Sequence, residues 1–568
     1  MILESDSLWK EDINSKIRKL ESAVEKLASH TSLSDLLDSV EDGDAEDEEG
    51  SGPKSIPPPS TQVSPQTEKN TPHNFEIVMD DDSGPAAIPG SVVSPVGWPA
   101  VEQNRAEQDI INRGVLTVEQ AQSYLDVYQN RLDHFLYRII GDRRDLVQVR
   151  TGSPLLLAAI CAVGALHVAS PDFEKCYEHF VSVAAAQTFS RSNNVDDIRG
   201  LCVGAFWLSG ISWTCIGIAV RISTEIGLHR SISKALAGDR NHYLRTRLYY
   251  LVWVCDHHFS IAYGRPPMTR QDDSIRASLQ FLETENAVED DARLVSQVQF
   301  WAVGRDVYET FGVDVERPLN QQMIEPLRRY SIRLDNLRAD WTERFGYNEF
   351  VGNYPRKGVG LHYHFAKLYL YSFAFRGISR PGWKTPDIAL DIDELANSAL
   401  LSATAILRAV VSDAEIQSYL NGLPTYFDVM IAFAVVFVLK VSTKYATSVR
   451  VDTSEIRTLV AQLVDVLKNV TTAMHSRHLL VSVARGAEQL LNRCCPSNAQ
   501  ISVAPLPSNA HVTMSQAPQP TFDDGLYDMS AAWDGSFGNF YMGEFDFLSS
   551  QEPCAFLPDM QYQSAPQT

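Results

Sequence analysis

From Val115 to residue 493, apolar residues return every third or fourth position, and no run of alternating apolar and polar stretches interrupts them. A period near 3.6 marks amphipathic helices, whereas a period of 2 marks half-buried strands. The expected fold class is therefore all-α, with one large helical body over 106–493. In "LTVEQAQSYLDVYQNRLDHFL", Thr117 followed by Glu119 and Gln120 is a helix start. Leu125, Tyr128, Leu132 and Phe135 continue it at steps of three and four. "SPLLLAAICAVGALHVAS" reads as a buried helix with Pro154 in its first turn. Further helical segments are expected over 172–190, 196–208, 212–227, 241–262, 289–311, 321–345, 359–376, 390–410, 425–446 and 453–493. Gly200 to Val220 is 21 residues without a charge, long enough to span a bilayer. Gly204, Ser209, Gly210, Ser212, Thr214 and Gly217 interrupt it, and no second such run accompanies it. Two short buried helices, and no membrane partner, are expected.

Charge divides the chain in three. Residues 1–100 hold 20 acids and 7 bases, 101–493 hold 43 and 42, and 494–568 hold 8 acids and neither Lys nor Arg. A near-neutral body thus stands between two acidic ends. A nucleic-acid surface must neutralise phosphates, so the balance argues against direct DNA binding by the body, although a local basic patch can hide inside a balanced total.

The N-terminal "MILESDSLWKEDINSK" lacks the basic-then-apolar order of a secretory signal. Within 8–37, Ile13, Ile17, Leu20, Val24 and Leu27 form a seam at steps of 4, 3, 4 and 3. β-Branched residues at a and mainly Leu at d favour a parallel two-stranded coiled coil; one amphipathic helix packed on its own domain is the alternative. Residues 38–105, with seven acids between Glu41 and Glu49 and a Pro/Ser-rich stretch after them, cannot bury enough apolar surface to offset ordering entropy. They are expected to be a disordered linker.

Residues 494–568 interleave acids with large apolar side chains, among them Phe522, Trp533, Phe537, Phe540 and Phe545. This acidic–aromatic composition is that of an activation segment, whose anchors can enter a coactivator groove. The alternative is an arm folded back on the body. The eight cysteines include no Cys-x-x-Cys pair. They read as reduced, buried thiols rather than a disulfide framework.

"WTCIGIAVRISTEIGLHRS" places Arg221 and Glu225 inside an otherwise apolar run. On a helix, Ile216, Ala219, Val220, Ser223 and Ile226 share one face, while Arg221 and Glu225 pair at i, i+4. Gly227 suits the left-handed residue after a helix end, with Leu228 making the accompanying apolar contact. His229 and Arg230 follow where positive charge favours a helix C-terminus. Every polar residue has a structural task, and no catalytic site is assigned. "CDHH", Cys255 to His258, offers too few ligands for a tetrahedral metal site. His362 and His364 point apart at i, i+2, and Gly358-x-Gly360 lacks the third glycine of a dinucleotide site.

These residues resemble the fungal-specific transcription factor domain, the middle homology region of binuclear zinc-cluster regulators. Its motif is a Trp, then Gly-x-Ala-x-Arg, then Glu-x-Gly-Leu-His-Arg. Trp213, Gly217, Ala219, Arg221, Glu225, Gly227, Leu228, His229 and Arg230 fill those places. A second block, "RTRLYYLVWVCDHHFSIAYGRPPMTRQDD", is similar to the family's following segment through Arg247, Tyr249, Tyr250, Asp256, Gly264, Arg265 and Pro266. His257 stands where an Arg is commonest. The wording is most similar to the branch of regulators of leucine synthesis, weak-acid response and secreted proteases.

The resemblance implies a nuclear regulator of transcription by RNA polymerase II, not an enzyme, with an effector pocket for a small molecule in the helical body. It also implies homo- or heterodimers with zinc-cluster regulators. The family's DNA-binding module needs six cysteines holding two zinc ions, and this sequence does not supply them. Either the regulator lacks the cluster or an upstream exon is missing. Zinc is expected only with such a module, and no other cofactor is expected. The alternative function is a cofactor or inhibitor that makes no DNA contact and dimerises with full zinc-cluster regulators. Substituting Ile17→Lys with Leu20→Glu buries charges at a and d and should convert a dimer to a monomer by light scattering; an unchanged mass would place the interface in the helical body.

Overall fold

The computed structural model describes residues 109–494, apart from 142–143, 191, 263–264, 313, 315–316, 378–383 and 445–450. The seam at 13–27, the linker at 38–105 and the tail beyond Cys494 lie outside the described residues. Eighteen α-helices occupy the described part, which contains no named strand.

Local signals start several helices. The Thr117 side chain accepts from the Gln120 N–H while the Gln120 amide side chain accepts from the Thr117 N–H, starting α1 (Val118–Val127). This reciprocal pairing satisfies two otherwise orphaned donors. Ser153 caps α3 (Pro154–His167) with Pro154 in the first turn, behind the short α2 (Leu146–Gly152). The expected helix through Phe135 does not continue as one. After Val127 the chain widens to a π turn at Tyr128–Leu132 and tightens to a 3-10 turn at Asp133–Leu136. It leaves through Tyr137 and Arg138, whose φ angles are 57° and 54°.

The N-terminal half continues with α4 (Phe173–Gln187), α5 (Val195–Trp207), α6 (Ser212–Glu225), α7 (Ile232–Leu236) and α8 (Arg240–Ala262). The charge-free run from Gly200 to Val220 is broken at Leu208: Val195–Trp207 and Ser209–Glu225 meet at 116°. Two one-turn helices, α9 (Asp273–Arg276) and α10 (Ser278–Phe281), lead to α11 (Glu289–Phe311), α12 (Gln321–Arg344) and α13 (Tyr354–Ser372). Then come α14 (Ala389–Ser412), α15 (Ala414–Tyr419), α16 (Thr425–Lys444), α17 (Thr453–Thr471) and α18 (Leu479–Cys494). The segment expected as helical over 453–493 is therefore two helices, broken by a turn at 472–478. Cys494 closes α18 instead of opening the tail.

Helix α3 is apolar on every side and entirely buried. It packs between α1, α4 and α5, while α13 packs on α12 and α14, and α16 on α14 and α18. Helix α8 joins the two halves through α11 and α16. All the buried apolar residues, from Ile110 to Leu490, form one continuous core. Contrary to the single apolar run read from the sequence, Pro386–Ser412 and Thr425–Thr443 are also long and apolar enough to cross a membrane. The second is 94% buried inside the body, so core packing accounts for its composition.

Close helix contacts need missing side chains. A Cβ on Gly200 of α5 would lie 2.9 Å from the Leu156 backbone of α3, and one on Gly164 of α3 would lie 2.8 Å from the Tyr124 carbonyl oxygen. Gly360 of α13 faces no atom within 4 Å. Gly200→Ala adds about 1–3 kcal/mol of overpacking against at most about 1 kcal/mol of helix propensity, so thermal melts should show it less stable than the parent. Gly360→Ala should instead stabilise by about 0.5–1 kcal/mol.

Candidate functional site

The two motif blocks fold against each other. In the first, Ala219 and Leu228 are fully buried, while Trp213 and Gly217 are half-buried. Arg221 pairs with Glu225 at 2.9 Å, both close to half exposed. Its other nitrogen donates to the Thr188 carbonyl at 2.7 Å, at the C-terminal end of α4. That second partner lies 33 residues away and has no local signature. Gly227 takes φ 71° and ψ 28°, a left-handed conformation that glycine adopts without a Cβ penalty.

His229 departs from the sequence reading. Burial, then the neighbouring Arg230, lowers its pKa below the ordinary value, so the ring is neutral near pH 7 and adds no charge at the helix end. The cation there is Arg245 of α8, which donates to the Ile226 carbonyl and, at 3.2 Å, to the Ser231 hydroxyl. The His229 carbonyl accepts from the Ser274 hydroxyl at 2.7 Å.

The second block supplies the tethers. Tyr249 donates to Asp272 at 2.7 Å and Tyr250 to the Ser274 carbonyl at 2.7 Å, fixing the segment that starts α9. Asp256 is fully buried and accepts both the backbone N–H and the hydroxyl of Thr269 at 2.7 Å. Burial raises its pKa despite these donors. Past the end of α8 the chain folds back. The Arg265 N–H donates to the Ser260 carbonyl at 2.8 Å, and its guanidinium lies 4.9 Å from the Trp213 ring centroid, a cation–π contact between the blocks. Pro266 is exposed. Gly264 lies outside the described residues, as do the seam residues Ile13, Ile17, Leu20, Val24 and Leu27 and the tail residues Phe522, Trp533, Phe537, Phe540 and Phe545.

Arg247 is the most constrained of the motif residues. It is 7% exposed and pairs with Asp291, which is 0% exposed. It also donates to the carbonyls of Tyr137 and Arg138, the two left-handed residues after α1. Asp291 accepts from Tyr243 as well, and from the Val288 N–H at 2.9 Å at the start of α11. The pair thus joins α8, α11 and the turn after α1.

The histidines settle into the core as neutral rings. His257 stacks on Trp253 with centroids 3.7 Å apart, and burial lowers its pKa to about 3. His362 is also held down to about 4 by burial. Its Nδ1 donates to the Gly358 carbonyl at 2.7 Å, leaving Nε2 to accept the Tyr426 hydroxyl at 2.9 Å. Burial raises the Cys255 thiol well above its ordinary range. A neutral thiol is a poor nucleophile and a poor metal ligand. Among the described residues, no three His, Cys, Asp or Glu side chains are grouped to hold a metal.

An all-helical body whose centre is built by these interlocked blocks is the middle region of fungal transcription factors. Residues 114–490 match the family described as the middle domain of the transcriptional activator of proteases prtT, and the chain belongs to that family. The "Transcriptional activator of proteases prtT" of Emericella nidulans is 37% identical over 398 residues, covering 68% of this chain and 60% of that protein. "Protein priB" of Lentinula edodes is 25% identical over 286 residues, 46% of this chain and 48% of its own. The "Acetamidase regulatory protein" of Aspergillus fumigatus is 26% identical over 230 residues, 36% of this chain and 29% of its own. The chain therefore spans 60% or less of the length of each of these relatives. No solved structure matches it.

The geometry ranks three substitutions. Arg247→Leu strands a buried carboxylate and should cost about 3–5 kcal/mol. Gly227→Val forces a β-branched residue into positive φ, at about 1–2 kcal/mol. Arg221→Ala removes a half-exposed pair and should cost less than about 1 kcal/mol. Denaturant melts showing Arg221→Ala as the worst of the three would overturn this order.

Proposed function

We propose that the chain is a nuclear regulator of transcription by RNA polymerase II, not an enzyme. The observation that carries this reading is the 37% identity to a transcriptional activator across a span that includes both motif blocks. The core supports it: the buried cysteine thiols have raised pKa values and the buried histidines lowered ones, which leaves both neutral. In this reading the helical body is the regulatory scaffold. The seam at 13–27 pairs the chain with a second copy or with another zinc-cluster regulator. Contact with DNA, and any zinc, belongs to a cysteine-cluster module carried by this protein or its partner.

The acidic–aromatic tail is the activating element. It has no cation to hold DNA, and its rings are spaced among acids that keep them solvated. Groove binding draws its affinity from buried aromatic anchors, while acids mainly speed encounter. Residues 520–550 fused to an unrelated DNA-binding domain should activate a reporter. Changing Trp533, Phe537, Phe540 and Phe545 to Ala should remove most of that activity, and changing Asp523, Asp524 and Asp528 to Asn only part. A silent fusion, or one indifferent to the aromatic changes, would make the tail a structural arm and favour a cofactor or inhibitor acting by dimerisation.

A further inference from the structure

Beside the Arg247 pair lies a cavity of about 720 Å³. Five arginines line it: Arg138, Arg144, Arg199, Arg240 and Arg247. They come from the left-handed turn after α1, the approach to α2, the first turns of α5, and two points about two turns apart on one face of α8. Among the described residues, Asp290 is the one carboxylate that lines it with them.

The nearby carboxylates are already shared. Asp196 serves both Arg144, at 2.8 Å, and Arg199. Asp291 serves Arg247 and Tyr243, and Asp290 serves Arg293. Among the described residues, neither Arg138 nor Arg240 has a carboxylate within ion-pair distance. Among the described lining residues, guanidinium groups outnumber carboxylates five to one, and the buried Asp133 behind them also faces Arg247 and Arg138. Arg199, 8% exposed, feels the excess. Burial lowers its pKa, Asp196 opposes that shift, and Arg144 and Arg247 add to it more weakly; its Nε has no hydrogen-bond partner. Like charges held this close around a hollow are costly unless an anion enters it.

We infer that this cavity binds a small organic polyanion carrying two or more carboxylate or phosphate groups on a compact carbon skeleton. Arginine forks match both groups in two-pronged hydrogen bonds, and the volume is that of a metabolite site. Ile139, Ile140, Leu244 and Val288 supply apolar wall for the skeleton. Arg199 and Arg247 form a buried floor, while Arg240 is exposed at the rim. A bound anion bridges the turn after α1, α5 and α8, so it tightens the joint that Arg247 already holds. As an effector site this rests on the regulator reading; as a binding site it does not.

The test is calorimetric titration of the 568-residue chain, at fixed ionic strength, with citrate, with inorganic pyrophosphate and with glycerol as the uncharged control. Saturable one-site binding is expected with Kd below about 1 mM for at least one anion, and none for glycerol. Citrate alone identifies a carboxylate site, pyrophosphate alone a phosphate site. Arg240→Glu should weaken binding about tenfold or more without lowering the ligand-free melting temperature. Arg457→Glu, the same charge change on exposed α17 away from the cavity, should leave binding intact. No saturation by either anion at millimolar concentration, or equal weakening by Arg457→Glu, overturns the site. Neither result bears on the reporter assay, so the binding site and the regulator reading fail separately.

Discussion

The Arg247–Asp291 pair is the interaction on which the middle of this fold depends. Helix α1 ends in a π turn and a 3-10 turn, then leaves through two left-handed residues. That exit takes the Tyr137 and Arg138 carbonyls out of the helical ladder; Arg247 donates to both from α8, and the Gly141 N–H also donates to the Arg138 carbonyl at 3.0 Å. Its charge is met by Asp291, the same carboxylate that accepts the Val288 N–H at the start of α11 and the Tyr243 hydroxyl. A buried ion pair repays its desolvation only when its remaining donors and acceptors are satisfied. Here those partners come from three elements far apart in sequence, so the pair specifies one arrangement of α1, α8 and α11 more than it adds stability.

The parts legible in the sequence were those whose physics is local. Thr117 with Gln120, and Ser153 before Pro154, satisfy orphaned N–H groups within four residues, so spacing alone carries the information. Gly227 ends α6 for a reason confined to its own φ angle. What escaped was whatever depends on a distant partner. The helix through Phe135 has correct apolar spacing, yet its geometry answers to an arginine 110 residues further on. His229 looks like a helix-end cation until burial removes its charge and Arg245 takes the task. The break at 472–478 leaves the apolar period nearly intact, so periodicity alone joins α17 to α18.

Apolar composition is equally ambiguous without the fold. Helix α16 matches a bilayer in length and hydropathy, but it lies among other helices, with Asp428 and Lys440 fully buried within it. Burial drives the Asp428 pKa well above the ordinary carboxylate range, which favours its protonated form. The histidines follow the same rule with the opposite sign: burial favours the uncharged ring and lowers the pKa of His167, His257, His362 and His478. Composition counts Asp428 and these histidines as polar or charged; burial favours their uncharged forms.

Charge balance hides a final distinction. The 101–493 span carries nearly equal numbers of acids and bases, and by that count it attracts nothing. Balance over a whole domain constrains the long-range field, which salt screens beyond about 8–10 Å. It says little about the local field inside one concavity. There, Arg138, Arg144, Arg199, Arg240 and Arg247 converge from segments that are separate in sequence and adjacent only in the fold. Two of the five, Arg199 and Arg247, are buried, where a fixed guanidinium acts through a lower dielectric than at the surface. The family-motif arginine therefore has two faces. One is closed by Asp291 and holds the helices together; the other opens on the cavity, where an anion would act on the same joint.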